Sequence, residues 1–276
     1  MKRDFSNLNQ KKFDIIVIGG GIIGTGTARD AALRGLSTLL VEKEDFGCGT
    51  TSSSTRLIHG GLRYLRMLEF KLVRQDLHER EVLLRIAPHL VNRLAFMIPL
   101  LKSEPLYRLS LPFGLCLYDI LASGKSLPSR KHLSRAHTLE LEPALSNIPG
   151  LTGAYLFYDC QAQNMERLCL ENALSAAENG ACVLNHTEAT GLSMEDSAVN
   201  GVVLCDRVTG TSYTARGRIV INAAGPGADM IWSKLNLSRN FRLRRTKGIH
   251  LVTRKLTRQA LVLFAKSDGR LFFVIP

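Results

Sequence analysis

The pattern of apolar positions in the N-terminal part of the chain predicts a strand, a tight turn, a helix and a second strand. A β-branched apolar run over residues 13–18 stops at a cluster of glycines. An alanine-rich stretch with helical character follows, and Gly35 suits the left-handed cap that would end it. A second apolar run, residues 37–42, then closes on an acidic side chain. This order is typical of an α/β unit.

The remaining apolar patterns predict further helices and short strands. Residues 68–87 space their apolar side chains at intervals of three, four and seven, which predicts a helix with one apolar face. The pairs Asn200-Gly201 and Thr209-Gly210 predict turns. Other predicted helices cover residues 135–142 and 166–179, and predicted strands cover 93–101, 155–159, 181–184, 202–206, 211–215, 218–222 and 273–275.

Residues 105–121 form a separate apolar stretch that is rich in leucine and aromatic side chains. Arg108, Pro112 and Asp119 interrupt it, so the stretch is not expected to span a bilayer. Two interpretations remain: a buried helix of a second domain, or a helix that lies in a membrane interface with its apolar side chains in the acyl boundary.

The turn after the first strand has the spacing Gly19-x-Gly21-x-x-Gly24. In a dinucleotide-binding unit Gly19 allows the tight turn, Gly21 lets the backbone approach a pyrophosphate, and Gly24 lets the helix pack on the strand. The helix N-terminus would face the phosphates with unpaired N–H groups. Glu42 falls where a carboxylate can accept hydrogen bonds from an adenosine ribose, and it would repel the 2′-phosphate of NADP. These residues predict a site for FAD or NAD; a glycine-rich turn in another α/β unit is the alternative.

Composition and charge narrow the class of protein. A chain of 276 residues, 45% of them hydrophobic, can bury a sizeable core in one large or two modest domains. The net charge of +12 favours anionic partners: phosphorylated substrates, an anionic membrane surface or nucleic acid. Ten Lys and Arg residues fall between residues 239 and 270 without interleaved aromatic side chains or a recognition motif, so no nucleic-acid partner is expected.

The six cysteines and the polar N-terminus point to a reduced compartment. The cysteines form no Cys-x-x-Cys pair and have no regular spacing, so neither a metal site nor a disulfide framework is expected. The residues before Phe13 are polar and charged and lack the apolar core of a signal peptide. We expect a mainly soluble protein that faces the cytosol.

Six consecutive hydroxyl side chains occupy residues 50–55. Such a run supplies small hydrogen-bonding groups and close backbone approach, which suits a loop around phosphates or the edge of a flavin. The alternative is a solvated Ser/Thr linker. Against the linker, the apolar pair Leu57-Ile58 and a His59-Gly60-Gly61 turn follow at once.

These motifs together resemble a known family. The Gly-Gly-Gly-Ile-x-Gly of residues 19–24 and the Thr-Ser-Ser-x-x-Arg-Leu-Ile-His-Gly-Gly-Leu-Arg-Tyr-Leu of residues 51–65 are similar to those of the FAD-dependent glycerol-3-phosphate dehydrogenases of the aerobic, respiratory type. Residues 218–226, which close on Asn-Ala-Ala-Gly, also resemble the flavoprotein strand that passes close to the dinucleotide. The resemblance implies FAD rather than NAD.

The resemblance implies a fold class and an activity. The fold would be α/β, with a Rossmann-like FAD-binding domain (residues 13–90 and 155–240) interleaved with a mixed α+β substrate domain (91–154 and 241–276) in a D-amino-acid-oxidase-like architecture. The reaction would be oxidation of sn-glycerol 3-phosphate to dihydroxyacetone phosphate in glycerol metabolism, with electrons passed to a membrane quinone. The protein would be cytoplasmic and peripherally associated with the inner face of the cytoplasmic membrane, with a homodimer as one option.

The resemblance also assigns candidate site residues. Arg63 would bind the substrate phosphate through its planar fork, and Tyr64 could add a hydroxyl donor. His250, in a segment that resembles the family's Lys-Gly-x-His strand, and His59 are the candidates for the base. His59 could instead fix the loop, and Arg63 could be structural. The candidate FAD-binding residues are Gly19, Gly21, Gly24, Glu42, Thr51, Ser52, Ser54, Arg56 and Gly225.

Two other interpretations stay open at this point. A related flavin oxidase would act on the same substrate and pass its electrons to oxygen. The chain also stops at Pro276, within a predicted strand, whereas members of the resembled family continue with a further flavin-binding segment and phosphate-binding arginines. A truncated, non-catalytic flavin- or dinucleotide-binding remnant is therefore the second alternative.

Overall fold

A computed structural model of the chain describes residues 2–6, 8–65, 67–233, 243–265 and 267–276. It divides into two compact units, Met1–Thr55 with Asn164–Ile249 and Arg56–Gln163 with His250–Pro276. Each unit therefore consists of two separate stretches of chain.

The strands and helices are numbered in chain order. The strands are β1 (Lys12–Ile18), β2 (Thr38–Val41), β3 (Leu57–Ile58), β4 (Val91–Leu101), β5 (Lys131–Ser134), β6 (Leu151–Ala162), β7 (Cys182–Leu184), β8 (Thr187–Glu195), β9 (Ala198–Asp206), β10 (Ser212–Asn222), β11 (Ala260–Phe264) and β12 (Leu271–Val274). The α-helices are α1 (Ile22–Leu33), α2 (Leu62–Leu65), α3 (Phe70–Ile86), α4 (Pro105–Leu121), α5 (Arg135–Leu141), α6 (Met165–Glu178) and α7 (Ala228–Ser233).

The first unit contains a six-stranded sheet in the order β7-β2-β1-β10-β9-β8. The first four strands are parallel and the last two are antiparallel to their neighbours. Ile18 at the end of β1 pairs with Val41 of β2 on one side and with Asn222 of β10 on the other. The carboxyl ends of these three strands therefore lie side by side, where open α/β sheets bind their ligands.

The parallel strands β1 and β2 are buried on both faces, since Ile16, Val17, Leu39 and Leu40 expose none of their surface. This burial explains the apolar runs of residues 15–18 and 39–41. On one face Val17 and Leu40 pack with Ala28 of α1 and with Cys169 and Ala173 of α6. A second apolar cluster, which includes Phe13 and Leu204, also belongs to this unit.

The second unit contains a sheet in the order β12-β11-β4-β6-β3, and β5 adds to β6. Its centre is the long antiparallel pair of β4 and β6, which begins with Val91 opposite Ala162. Side chains of α3 and α4, among them Leu77 and Leu115, pack with Phe157 of β6 in one core cluster. This packing holds α3 and α4 against the β4–β6 pair.

Several elements are confirmed. The strand, turn, helix and strand predicted over residues 13–42 are β1, α1 and β2; the helices predicted over 68–87 and 166–179 are α3 and α6. Residues 105–121 form the helix α4, which buries only one of its faces. No helix among the described residues is both long enough and apolar enough to cross a bilayer.

The turn predicted at Asn200-Gly201 is wrong. Both residues lie inside β9. A Cβ at Gly201 would lie 2.4 Å from the carbonyl oxygen of Ala215, so only glycine allows this close approach. The turn between β8 and β9 is at Asp196-Ser197, and both residues have positive φ, as the tight turns of hairpins require.

The strand expected around His250 is also absent. Residues 243–259 have no regular secondary structure, and Ile249, Leu251 and Val252 expose 76–96% of their surface. Six Lys and Arg side chains in this stretch favour solvent over the apolar contacts that a strand would need. Arg239, Arg242 and Lys266 of the basic stretch lie outside the described residues.

The two units and the two predicted domains are each built from two separate stretches of chain, but their boundaries differ. Residues 56–90 and 155–163, assigned to the FAD-binding domain by the resemblance, fall in the second unit. They do so because α3 packs on the β4–β6 pair and because β6 is continuous to Ala162. The predicted domain boundary at residues 240 and 241 lies outside the described residues.

Candidate functional site

The glycine turn between β1 and α1 is crowded on two sides. A Cβ at Gly24 would lie 1.8 Å from the carbonyl oxygen of Gly19, so the helix passes directly over the turn. Gly19 has φ of +111°, and a Cβ there would lie 2.5 Å from the carbonyl oxygen of Ala223 at the end of β10. Gly21 caps α1 with an extended backbone. These residues form a cradle without side chains at the N-terminus of α1, which fits a dinucleotide pyrophosphate.

Glu42 lies at the end of β2, beside this turn. One carboxylate oxygen accepts a hydrogen bond from the Gly20 N–H at 2.6 Å, and the other accepts one from the Glu44 N–H at 2.9 Å. Each oxygen keeps a second lone pair with which it can accept from a ribose hydroxyl. Gly20 was not predicted as a site residue, yet a Cβ there would lie 2.6 Å from the Cβ of Glu42.

The hydroxyl loop lies against the first turn of α1 through one residue. The buried Thr51 accepts a hydrogen bond from the Ile22 N–H through its Oγ1 at 3.0 Å. Ser52 donates to the carbonyl oxygens of Cys48 and Gly49 within the loop itself. Ser54 likewise donates to the Thr51 carbonyl oxygen. The structure thus brings Thr51 to the glycine turn and uses Ser52 and Ser54 to shape the loop.

Gly225 follows the end of β10. It begins a short 3₁₀ turn, Gly225–Gly227, with φ of +53°, a conformation that favours glycine. The Ala223 N–H donates to the carbonyl oxygen of Ile18 at 2.8 Å. This bond holds the stretch just before Gly225 beside the glycine turn.

Cys169, which was not predicted as a site residue, forms a hydrogen bond to the backbone of the glycine turn. The buried Cys169 of α6 donates through Sγ to the carbonyl oxygen of Gly20 at 3.2 Å. The Gly47 N–H donates to the same oxygen at 3.0 Å. Burial raises the pKa of the Cys169 thiol, so it remains a neutral donor at this position. Its position on the buried face of α6 made it indistinguishable from a core residue.

In the second unit the stretch from His59 to Tyr64 forms a second group of candidates. Nδ1 of the exposed His59 accepts a hydrogen bond from the Gly61 N–H at 2.9 Å. The neutral imidazole therefore has its proton on Nε2, which is a donor in this arrangement. Gly61 has φ of +65°, and a Cβ there would lie 2.3 Å from Cδ2 of Tyr64.

Arg63 and Tyr64 lie on α2, next to this turn. The exposed Arg63 guanidinium stands 5.5 Å from the centroid of the Tyr64 ring, within the range of a cation–π contact. A cavity of about 360 Å³ is lined by His59 and Tyr64 together with Asp76 and Arg80. The structure thus groups His59, Arg63 and Tyr64 at one place in this unit.

Two further candidates lie elsewhere in the second unit. Arg56 has φ of +60°, and its Nη1 donates to the carbonyl oxygen of Gln163 at 2.7 Å. His250 is exposed and belongs to the irregular stretch of residues 243–259. The structure does not bring His250 to the group formed by His59, Arg63 and Tyr64.

A buried polar network next to His59 was not predicted. Tyr118 of α4 donates its O–H to the Asp159 carboxylate of β6, at 2.9 Å from each oxygen, and accepts from the Gly60 N–H at 2.8 Å. Arg80 of α3 donates to Asp159 at 2.6 Å. All three side chains are buried, and burial raises the pKa of Tyr118 and of Asp159, although Arg80 opposes the shift of Asp159. Arg80, a charged residue on the otherwise apolar face of α3, was the one feature of the sequence that indicated a buried polar partner.

The chain is similar to a known protein family, to curated sequences and to solved structures. Residues 14–276 match the family model described as FAD dependent oxidoreductase. The chain is 42% identical over 287 residues to Glycerol-3-phosphate dehydrogenase of Synechocystis sp., covering 99% of this chain and 52% of that protein. It is 38% identical over 274 residues to Aerobic glycerol-3-phosphate dehydrogenase of Staphylococcus haemolyticus, covering 98% and 49%. A crystal structure of the glycerol-3-phosphate dehydrogenase from Bacillus halodurans complexed with FAD aligns with a TM-score of 0.71 and 29% identity, covering 98% of this chain and 46% of that one.

These comparisons confirm the predicted resemblance, the fold class and FAD as the cofactor. The chain spans about half the length of the curated relatives it matches. The roles of the individual site residues stay predictions.

Proposed function

Because the chain belongs to the FAD-dependent oxidoreductase family, we propose that the protein oxidises sn-glycerol 3-phosphate to dihydroxyacetone phosphate. The main support is its 42% identity, over 99% of this chain, to a protein named glycerol-3-phosphate dehydrogenase. A net charge of +12 agrees with a dianionic substrate. The chain covers about half of that relative, so the activity of the whole protein is a proposal.

The residues at the glycine turn would hold the dinucleotide. Gly19 and Gly24 allow the turn and α1 to pack closely, and the pyrophosphate would lie at the N-terminus of α1, which Gly21 caps without a side chain. Glu42 would accept from the adenosine ribose with its free lone pairs, while Thr51 keeps the hydroxyl loop at the first turn of α1. We assign Ser52, Ser54, Arg56 and Gly225 to backbone shaping around the cofactor, since each has a loop hydrogen bond or a positive φ.

FAD, when bound, supplies the acceptor for the hydride that leaves C2 of the substrate. The protein must then bind the phosphate and accept the proton of the C2 hydroxyl. We assign the phosphate to Arg63, whose guanidinium is exposed and always charged, and a hydroxyl donor to Tyr64. His59 already uses its Nδ1 lone pair on the Gly61 N–H, so we assign its Nε2–H to the substrate as a hydrogen-bond donor. We assign the base to His250, and the support for this assignment is the family resemblance of its segment.

The proposed activity is tested by mixing the purified, flavin-loaded full-length protein with substrate in the absence of oxygen. Addition of sn-glycerol 3-phosphate should bleach the visible flavin absorbance, whereas glycerol, which lacks the phosphate, should not. Colourless protein that takes up no FAD, or yellow protein that the substrate does not bleach, would contradict the proposal.

We further propose that the electrons pass to a quinone at an anionic membrane surface on the cytoplasmic side. The support is the outer face of α4, on which Leu106, Leu109, Phe113 and Ile120 expose 63–82% of their surface. This apolar face, together with the net positive charge, suits an anionic lipid interface. Reduction of a quinone in anionic vesicles without peroxide release supports this acceptor; stoichiometric peroxide in air would instead identify an oxidase.

Arg63→Ala should weaken substrate binding in the full-length protein. Loss of a charge-assisted contact to phosphate is expected to raise KM for sn-glycerol 3-phosphate about 10- to 100-fold and to change kcat little. Arg74→Ala, at an exposed arginine on α3 of the same unit, is the control and should leave KM unchanged. An unaltered KM in Arg63→Ala would remove Arg63 from the phosphate site.

His250→Ala should slow the chemical step. Loss of a general base is expected to lower the rate of flavin bleaching by saturating substrate at least about 100-fold, measured by anaerobic stopped flow. His137→Ala, at an exposed histidine of α5, provides the matched control. A His250→Ala protein that bleaches at the normal rate shows that another group is the base.

A further inference from the structure

The backbone of Gly60 is held by two helices at once. Gly60 is buried, and a Cβ there would lie 2.4 Å from Cδ2 of Leu77 on α3 and 2.7 Å from the Tyr118 hydroxyl oxygen on α4. Its N–H donates to that hydroxyl at 2.8 Å. Because Gly60 stands between His59 and Gly61, its position also fixes the peptide whose N–H bonds Nδ1 of His59.

The direction of the Tyr118 hydrogen bonds is set by Asp159. An ionised carboxylate can only accept, so the Tyr118 hydrogen points to Asp159 and a lone pair of the hydroxyl is left for the Gly60 N–H. Without the carboxylate the hydroxyl could rotate, and its hydrogen could point toward the Gly60 N–H and repel it. Asp159 therefore determines that Tyr118 is an acceptor for the turn.

Arg80 in turn fixes Asp159. Its Nη1 donates to the carboxylate at 2.6 Å and to the carbonyl oxygen of Tyr158 at 3.4 Å, while Nη2 donates to Glu81 at 2.9 Å. Arg80 and Asp159 expose 1% and 3% of their surface, so water does not compete for these bonds. Side chains from α3, α4 and β6 thus converge on one backbone N–H.

We propose that Tyr118, Asp159 and Arg80 are positioning residues for the reaction, which act by fixing the His59–Gly61 turn and with it the direction of the His59 Nε2–H. The inference rests on the proposed function only in its claim about catalysis. Tyr118, Asp159 and Arg80 are not themselves candidate site residues, but they lie close to them. The network is linked to His59 through the backbone of Gly60 and Gly61. Arg80 also borders the cavity that His59 and Tyr64 line. A misdirected donor at a reacting centre lowers the rate even when substrate binds normally.

The test is Tyr118→Phe in the flavin-loaded full-length protein. The variant retains the ring that packs edge-on against Phe157 and loses only the hydroxyl. Tyr155→Phe is the matched control, because Tyr155 of β6 contacts His132 with its ring and lies outside the network. Three quantities are measured: hydrogen exchange of the Gly60 amide, the tautomer of His59 from the NMR signals of labelled histidine, and kcat and KM for sn-glycerol 3-phosphate.

In Tyr118→Phe the Gly60 amide should exchange at least about tenfold faster, the Nε2–H tautomer of His59 should lose its dominance, and kcat should fall about 10- to 100-fold with KM changed less than about twofold. Tyr155→Phe should match the wild type in all three. Unchanged Gly60 exchange overturns the proposal, and so does faster exchange with normal kcat. If the wild type fails to oxidise the substrate, the proposed function falls, while amide exchange and the His59 tautomer still decide whether the network holds the turn.

Discussion

A Gly24→Ala protein is expected to fold and to bind FAD at least about 100-fold more weakly than the wild type. The new Cβ would lie 1.8 Å from the carbonyl oxygen of Gly19, far inside van der Waals contact, so the helix or the turn must move by more than an ångström. The turn cannot simply retreat, because Gly19 is already pressed against the Ala223 carbonyl group, 2.5 Å from the place of its own absent Cβ. The N-terminus of α1 would therefore leave the position from which it can face a pyrophosphate.

Gly26→Ala is a closely matched control for this substitution. It adds the same methyl group to the same helix, two residues further on, where no described atom outside the neighbouring helix backbone lies within 4 Å of the new Cβ. Alanine is a better helix former than glycine, so this variant should keep FAD and gain about 0.5–1 kcal/mol in stability. Both proteins are titrated with FAD as apoproteins and followed by flavin fluorescence. Normal FAD affinity in Gly24→Ala would exclude the glycine turn as the cofactor site.

The glycine turn was predictable because its requirement is local. The steric role of Gly24 is set by Gly19, five residues away, and the spacing of the motif records that contact directly. Gly20 has an equally strict requirement that the motif does not record. A Cβ there would meet Glu42 and Phe46, which approach only after β2 has paired with β1 and the chain has turned back. Sequence spacing therefore identified three of the four glycines at this turn.

The two wrong local predictions fail because contacts with other parts of the fold, which the local sequence pattern does not contain, decide the structure there. Asn-Gly is a strong signal for a hairpin turn, but at residues 200–201 the pairing of β9 with β10 overrides it, because Gly201 faces the Ala215 carbonyl group in mid-strand. The stretch around His250 has the alternating apolar residues of a strand, yet Ile249, Leu251 and Val252 are exposed. A strand pattern yields a strand only where a neighbouring strand and a core accept it.

The polar network could not be assembled from the sequence, although one of its members was visible. Arg80 falls on the apolar face of α3 between Leu77 and Leu84, a position at which a charge requires a buried partner. The partner, Asp159, is 79 residues away in the chain, and Tyr118 is 41 residues from Asp159. Only the packing of α3 and α4 on β6 brings the three together.

Asp159→Ala is expected to lower the free energy of unfolding by about 3–5 kcal/mol, because it leaves the Arg80 charge buried with one carboxylate removed. Arg80 exposes only 1% of its surface, so water cannot replace the lost carboxylate, although Glu81 still accepts from Nη2. Urea unfolding followed by circular dichroism measures the change. Asp30→Ala removes the aspartate of an exposed pair with Arg34 and should leave the unfolding midpoint unchanged.

A double variant separates the effect of the unpaired buried charge on stability from the effect of lost packing. Removing one partner of a buried ion pair leaves an uncompensated charge in the interior, whereas replacing both partners by apolar side chains removes that charge. Replacing both partners should therefore be less harmful than replacing one. Arg80→Met combined with Asp159→Ala is expected to recover about 1–2 kcal/mol relative to Asp159→Ala alone. If the double variant is the less stable of the two, the unpaired charge on Arg80 is not the source of the destabilisation, and the cavity left by the carboxylate is.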